Sequence, residues 1–211
     1  MKKMIDISID LSKDTIVYPG DPVPKIWLRI KMANGDIANV GQMNVGTHHG
    51  THLDVPFHFG EGKETVETIP LEYFFGDALV IDLTKVNKCI TAADLSKVKN
   101  ISKFKKVLFK TQNSLKFLKQ KKFAKNFIYI SGDAAEFLVN KGIKTVALDY
   151  ITIDPYGSEA FPAHHTLLRA KIVVVEGVNL EKVSPGKYTF ACFPVKIKNA
   201  DGAPCRAVLM K

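Results

Sequence analysis

Apolar and polar residues alternate at the start of the chain. In IDISIDLS, Ile5, Ile7, Ile9 and Leu11 fall on one side of an extended backbone and Asp6, Ser8, Asp10 and Ser12 on the other, which predicts a strand. VYPGDPVPKIWLRI places turn chemistry, Pro19, Gly20 and Asp21, ahead of a second strand. TIPLEYFFGD reads as a short helical turn or loop, ALVIDLT as a buried strand, and KVLFKTQ as another. Between these last two, TAADLSKV predicts a short helix with Thr91 as its N-cap. The clearest unit is FIYISGDAAEFLVNKGIKTVALDY. A strand ends at Ile130, Ser131 or Asp133 caps a helix running to about Asn140, Gly142 stops it at C′, and TVALDY returns as a strand. That is β-α-β, so part of the sheet is parallel. LLRAK reads as a helical turn, followed by IVVVE, an apolar strand closed by Glu176 and Gly177. The tail, YTFACFPVKIKNADGAPCRAVLM, predicts one or two more strands around the turn residues Asp201 and Gly202. The class is α/β with mixed strands. The 211 residues show no repeat or low-complexity linker and fit one domain, 1–211.

One stretch departs from ordinary patterning. HHGTHLDVPFH, from His48 to His58, holds four of the six histidines. Gly50 and Pro56 exclude a helix. Read as an extended chain, His48, His52, Asp54 and His58 share one side, and Leu53, Val55, Phe57 and Phe59 share the apolar other. Alternate strand residues are ~6.5 Å apart, so His52 and Asp54 can share one ion directly. His48 and His52 would be ~13 Å apart on a straight strand, so the chain must bend, most easily at Gly50. Pro56 predicts an edge strand or an irregular turn. His49 points away and is expected not to be a ligand. Glu176 is a carboxylate at the end of a buried strand, where α/β proteins place their chemistry.

Composition narrows the class further. Hydrophobic residues make up 46% of the chain, enough to build a core rather than a disordered tail. The first ten residues, interrupted by Asp6 and Asp10, do not read as a signal peptide, and no apolar run suits a membrane span. Cys89, Cys192 and Cys205 are scattered, which argues against a disulfide framework and a cysteine zinc knuckle. A cytoplasmic protein is expected. The formal charge is +9, and thirteen lysines lie between Lys85 and Lys125 with Asp94 as the only acid. Interleaved Phe104, Phe109, Phe117, Phe123 and Phe127 read as core partners beneath a solvated lysine face, in preference to a nucleic-acid interface. Part of this charge can also steer an anionic substrate. No nucleic-acid or membrane partner is expected.

Two motifs carry a resemblance. H-x-G-T-H-x-D-x-P-x-H is met by His48, Gly50, Thr51, His52, Asp54, Pro56 and His58. H-x-x-L-L followed by E-G is met by His164, Leu167, Leu168, Glu176 and Gly177. Together they resemble the cyclase-like metal-dependent hydrolases, a family that includes bacterial kynurenine formamidase (arylformamidase) and isatin hydrolase. The resemblance covers nearly the whole chain, including VYPGDP and DGAPCRAVL. It implies a compact β/β/α, swivelling-domain-like fold, a homodimer or larger oligomer, and two divalent ions, Zn²⁺ ahead of Mn²⁺. His48, His52 and Asp54 would hold the first ion. Asp54 and His164 would hold the second, and Glu176 would bridge both. His58 would carry protons and Tyr18 would touch substrate. The implied reaction is metal-dependent hydrolysis of a small amide, N-formylkynurenine to kynurenine and formate. The alternatives are a cyclic amide such as isatin, or a metal-binding protein without catalysis. His165 is expected in an outer or structural position. Three departures lie where substrate choice is made: Tyr18 in place of Trp or Phe, Thr152 in place of Ser, and KTQN where relatives carry Arg.

Overall fold

In the computed structural model, which describes residues 3–120 and 122–211, the most apolar strands feed two cores at once. Val107 and Phe109 face one core and Leu108 the other. Val146 and Leu148 likewise alternate with Ala147, and Val174 with Val173 and Val175. Successive strand residues point to opposite faces, so strands apolar throughout must be covered on both.

In chain order the elements are β1 (Met4–Asp6), β2 (Lys25–Ile30), β3 (Val40–Asn44), β4 (His52–Asp54), β5 (Phe75–Asp82), β6 (Cys89–Ile90), α1 (Ala92–Ser96), β7 (Lys106–Lys110), β8 (Tyr129–Ile130), α2 (Gly132–Asn140), β9 (Thr145–Leu148), α3 (Pro162–Arg169), β10 (Val173–Glu176), β11 (Gly186–Ala191), β12 (Gly202–Pro204) and β13 (Val208–Met210). One sheet runs β1-β13-β11-β5-β7-β9-β10-β4-β12. Its centre, β5-β7-β9-β10, is parallel and its flanks are antiparallel. Leu95, Ala134, Leu138, Leu167 and Leu168 from the three helices cover one face. The sheet curls to close the second core, joining Phe190 and Leu209 from one end to Leu53 and Ala203 from the other. Truncating a fully buried residue such as Phe109 to Ala would cost about 3–5 kcal/mol. The expected α/β class with a mixed sheet is present.

Several local expectations change. β8 pairs not with β9 but with β6, in a separate two-stranded sheet. β9 instead makes four paired positions with β7, against the two that β8 offers β6. The predicted N-terminal strand is cut to three residues, because Asp6 Oδ1 accepts the Ser8 N–H at 3.1 Å and the chain then crosses to a single bridge with Val178. The helical turn expected at LLRAK is an eight-residue helix beginning at Pro162. Its first amides are capped from a distance: Asp154 accepts the N–H groups of Ala163 and His164, each at 2.9 Å. The tail forms three strands, and Asp201–Gly202 leads into β12 rather than making a turn. The histidine segment is a strand only from His52 to Asp54, and it is an interior one, with β10 and β12 on either side. His48 reaches it through a turn and His58 leaves it on a 3₁₀ helix, Pro56–Phe59. Leu53 and Val55 are buried as expected, but Phe57 is exposed and Phe59 turns to the histidine side. Phe104, Phe109 and Phe127 are buried, and Phe117 and Phe123 pack against the same core. Among the described residues no helix is long and apolar enough to cross a membrane.

Candidate metal centre and active site

Strand register builds the site. β4 runs antiparallel to β10 with His52 opposite Glu176 and Asp54 opposite Val174. Val174 belongs to the core under the helices, so Asp54, His52 and Glu176 project to that same face. There α3 brings in His164. The two carboxylates face the two histidines evenly. His52 Nε2 lies 3.5 Å from Asp54 Oδ1 and 3.3 Å from Glu176 Oε2. His164 Nε2 lies 3.5 Å from Asp54 Oδ2 and 3.2 Å from Glu176 Oε1. Two tetrahedral donors, each ~2.0–2.1 Å from one ion, stand about 3.3 Å apart. All four residues are buried. His52 Nε2, Asp54 Oδ2 and Glu176 Oε1 are buried with no hydrogen-bond partner among the described residues. Buried polar atoms in proteins are as a rule satisfied, and each one left unpaired costs about 1–3 kcal/mol; three of the four such atoms among the described residues meet at this point. The donor set therefore fits cations.

The outer ring nitrogens are held. His52 Nδ1 donates to the Gly50 carbonyl at 3.0 Å. His164 Nδ1 pairs with Asp154 Oδ2 at 2.7 Å, and His48 Nε2 with Asp201 Oδ2 at 2.9 Å. This is how metal-ligating imidazoles are usually oriented. His48 Nδ1 meets Asp54 Oδ1 at 2.7 Å, on the side of Asp54 that faces His52. Burial opposes a charge on His48, but Asp54 and Asp201 outweigh it and push its pKa up to about 10. A cation at Asp54 would compete with that proton. Burial likewise opposes a charge on His164, and Asp154, Asp54 and Glu176 overcome it, raising its pKa well above the usual range. The close fit has a backbone cause: a Cβ on Gly202 would come within 2.6 Å of His48 Cε1 and 2.7 Å of the Leu53 carbonyl oxygen.

His58 stacks on His48 with ring centroids 3.9 Å apart. Its Nδ1 lies 3.1 Å from Asp201 Oδ2, and burial lowers its pKa. Above the histidines opens a cavity of about 220 Å³ whose walls include Tyr18, Phe59, Thr152 and Phe161. Tyr18, His48, His52, His58, His164 and Glu176, all expected from the sequence, line this one space, with Asp54 against His48, His52 and His164. His49 does not: its Nδ1 accepts the Gly46 N–H at 2.9 Å, and its ring lines a different cavity with Asp10 and Cys205. His165 Nδ1 pairs with Glu61 away from the centre. The KTQN segment supports the interior, Thr111 binding Asp149 and Asn113 binding Ile128. Sequence reading missed Asp154, Asp201 and Phe161. For Asp154 and Asp201 the only signal was a carboxylate near a motif residue. Phe161 had none, yet it has φ 38°, ψ 53°, a left-handed conformation that costs a bulky residue about 1–3 kcal/mol.

The Cyclase family model matches residues 5–155. A kynurenine formamidase of Geobacillus thermodenitrificans is 36% identical over 212 residues, covering 100% of this chain and 99% of the relative. A solved structure from Bacillus stearothermophilus, described as a predicted metal-dependent hydrolase, is 32% identical with a TM-score of 0.84, covering 100% of this chain and 98% of that one. An isatin hydrolase bound to the product analogue thioisatinate superposes with a TM-score of 0.86 at 22% identity, covering 100% and 92%. That likeness speaks for the fold alone. The family match, the full-length relative and the cluster of buried histidines and carboxylates agree, and the chain belongs to the cyclase family of metal-dependent hydrolases.

Proposed function

We propose that the protein is a metal-dependent amide hydrolase acting as a kynurenine formamidase, converting N-formylkynurenine to kynurenine and formate. The observation that carries the reading is the even division of Asp54 and Glu176, each turning one oxygen to His52 and the other to His164. We assign two divalent ions to that division: His48, His52 and Asp54 would hold one, Asp54 and His164 the other, and Glu176 would serve both. Imidazole and carboxylate donors suit Zn²⁺ or Mn²⁺, and we place Zn²⁺ first. Such a pair supplies Lewis-acid polarisation of a carbonyl and a water of lowered pKa.

The remaining work falls to the chain's own residues. His58 keeps Nδ1 on Asp201, and no hydrogen bond among the described residues engages its Nε2. It can therefore pass a proton to the departing amine. Tyr18, beside Tyr156 and Phe123, contacts the substrate from the cavity wall. A homodimer and a cytoplasmic location complete the proposal; the second draws on three free thiols, Cys89, Cys192 and Cys205.

Turnover of N-formylkynurenine and of isatin by the purified, metal-loaded protein tests this directly. Hydrolysis of the formamide and its loss on chelation are expected. Preference for isatin would move the protein to cyclic amides, and turnover of neither would leave a metal-binding protein without catalysis. His52→Ala should lose both metal and activity. His58→Ala should keep two equivalents of metal and lose about 10²–10⁴ in rate. Low metal content in His58→Ala with rescue by excess Zn²⁺ would make His58 a ligand instead.

A further inference from the structure

We propose that Phe161 is an aryl-contact residue, its ring held over the centre by a left-handed backbone to take one face of a flat aromatic group on the substrate. The proposal rests on the hydrolase reading and adds to it the residue that holds the substrate's aromatic ring. Phe161 sits at φ 38°, ψ 53°, immediately before Pro162. Sterics disfavour that region for any residue with a large side chain, and a following proline pushes its neighbour toward extended backbone. Glycine would adopt it freely.

The conformation is fixed from both ends. The Phe161 N–H donates to Ser158 Oγ at 3.1 Å, and its carbonyl accepts the His165 N–H at 3.0 Å. Nothing in the helix start calls for an aromatic side chain there, because Asp154 caps the first amides of α3 and Phe161 makes no side-chain cap. What the ring does is line the cavity over His52, His164 and Glu176. Its centroid is 5.1 Å from that of Phe59 and 6.4 Å from that of His164, and it is only half-buried. Tyr18 lines the same cavity, its ring 5.3 Å from Phe123 and 6.0 Å from Tyr156. Three aromatic side chains, Tyr18, Phe59 and Phe161, thus rim the opening above the histidines. Rings attract one another at separations of about 4.5–7 Å, and a planar ligand in this cavity has aromatic side chains in its walls to meet. Backbone strain placed at a binding wall is the pattern of a residue retained for its contact.

The test compares the parent with Phe161→Gly and Phe161→Tyr, all metal-loaded, by calorimetric binding of kynurenine, isatinate and formate, with Tm and metal content measured beside them. Formate reads the centre without a ring. In Phe161→Gly the affinity for an aryl product should fall about 10-fold, while formate affinity and metal content stay put and Tm holds or rises. Phe161→Tyr should bind like the parent. Unchanged aryl affinity in Phe161→Gly overturns the proposal. So does an equal loss for formate with a lower Tm, which marks a structural role, and so does a parent that binds neither aryl product. A parent that binds isatinate through Phe161 but leaves N-formylkynurenine intact sinks the formamidase reading and sustains this one.

Discussion

At the scale of single residues, the candidate site depends on a carboxylate that stands outside both motifs, Asp201. His48, His52, Asp54, His58, His164 and Glu176 stand in motifs whose spacing points to metal chemistry. Asp201 looked like turn chemistry, because a carboxylate before glycine usually is. Its role appears only when β12 lies beside β4 and puts Asp201 Oδ2 within 2.9 Å of His48 Nε2 and 3.1 Å of His58 Nδ1. Thr47 Oγ1 donates to the other oxygen at 3.1 Å. The hydrogen bond with His48 holds the Asp201 carboxyl far below the ordinary range. An amide in its place cannot accept from both imidazoles with the same charge. Asp201→Asn should therefore weaken metal binding, and at saturating metal kcat should still fall about 10–100-fold, the usual effect of losing such an outer partner. Metal titration with turnover at each point separates the two effects. Full recovery of kcat at high metal would confine Asp201 to His48 and release His58 from its control.

At the scale of elements, legibility followed length and locality. β7, β9 and β10 are apolar runs, and α1 carries its cap within itself, the Asp94 N–H reaching Thr91 Oγ1 at 3.2 Å. These were visible in the pattern. α3 is longer than its local pattern predicts because its cap, Asp154, lies outside the local sequence window, and the partner of β8 is decided by competition among strands that the local pattern does not carry. The loop after His58 shows another link of this hidden kind. Glu61 accepts from Arg169 Nε at 2.7 Å and Nη2 at 3.0 Å, and pairs with His165, so it ties the His58 loop to the helix bearing His164. Phe59 stacks on His164 inside that tie, with centroids 4.7 Å apart. Arg169, and after it His165, holds the Glu61 carboxyl at about 2, below its ordinary value of 4.5. A depressed carboxyl stabilises the fold when ionised. Its contribution is complete above the unfolded value and fades as pH falls through the folded one. Metal-free Glu61→Gln should accordingly show a lower Tm than its parent at pH 6, with the gap closing between pH 4.5 and about 2. A gap constant down to pH 2 would mean that the pair holds the loop by shape rather than by charge.

At the scale of the whole molecule, the hairpin β2–β3 is exposed along almost its whole length. Its pairing sets Ile26 opposite Met43 and Leu28 opposite Gly41, which places Ile26, Leu28 and Met43 on one face before the register shifts between Leu28 and Ile30. Ile26, Leu28 and Met43 are nonetheless 45%, 45% and 62% exposed. A lone two-stranded hairpin is marginal in water, and a face of this kind is found covered. The body carries exposed apolar residues of its own at Leu71, Phe75, Phe193 and Val195. A two-fold pair of chains can lay each hairpin on its partner and bury its apolar face twice, since a C2 interface repeats every contact. The hairpin lies between Tyr18 and His48 in sequence, and both of those residues line the candidate site. Dimerisation should therefore support turnover as well as stability. Light scattering on the purified protein should give twice the 23.4 kDa chain mass. The double variant Ile26→Glu, Met43→Glu places two charges on that face. It should sediment as a monomer, keep its metal, and lose about 10-fold or more in kcat/KM as the loop carrying Tyr18 and the turn carrying His48 loosen. A parent that is monomeric at micromolar concentration, or a double variant that stays dimeric and fully active, would mean that the hairpin face does not meet a second copy.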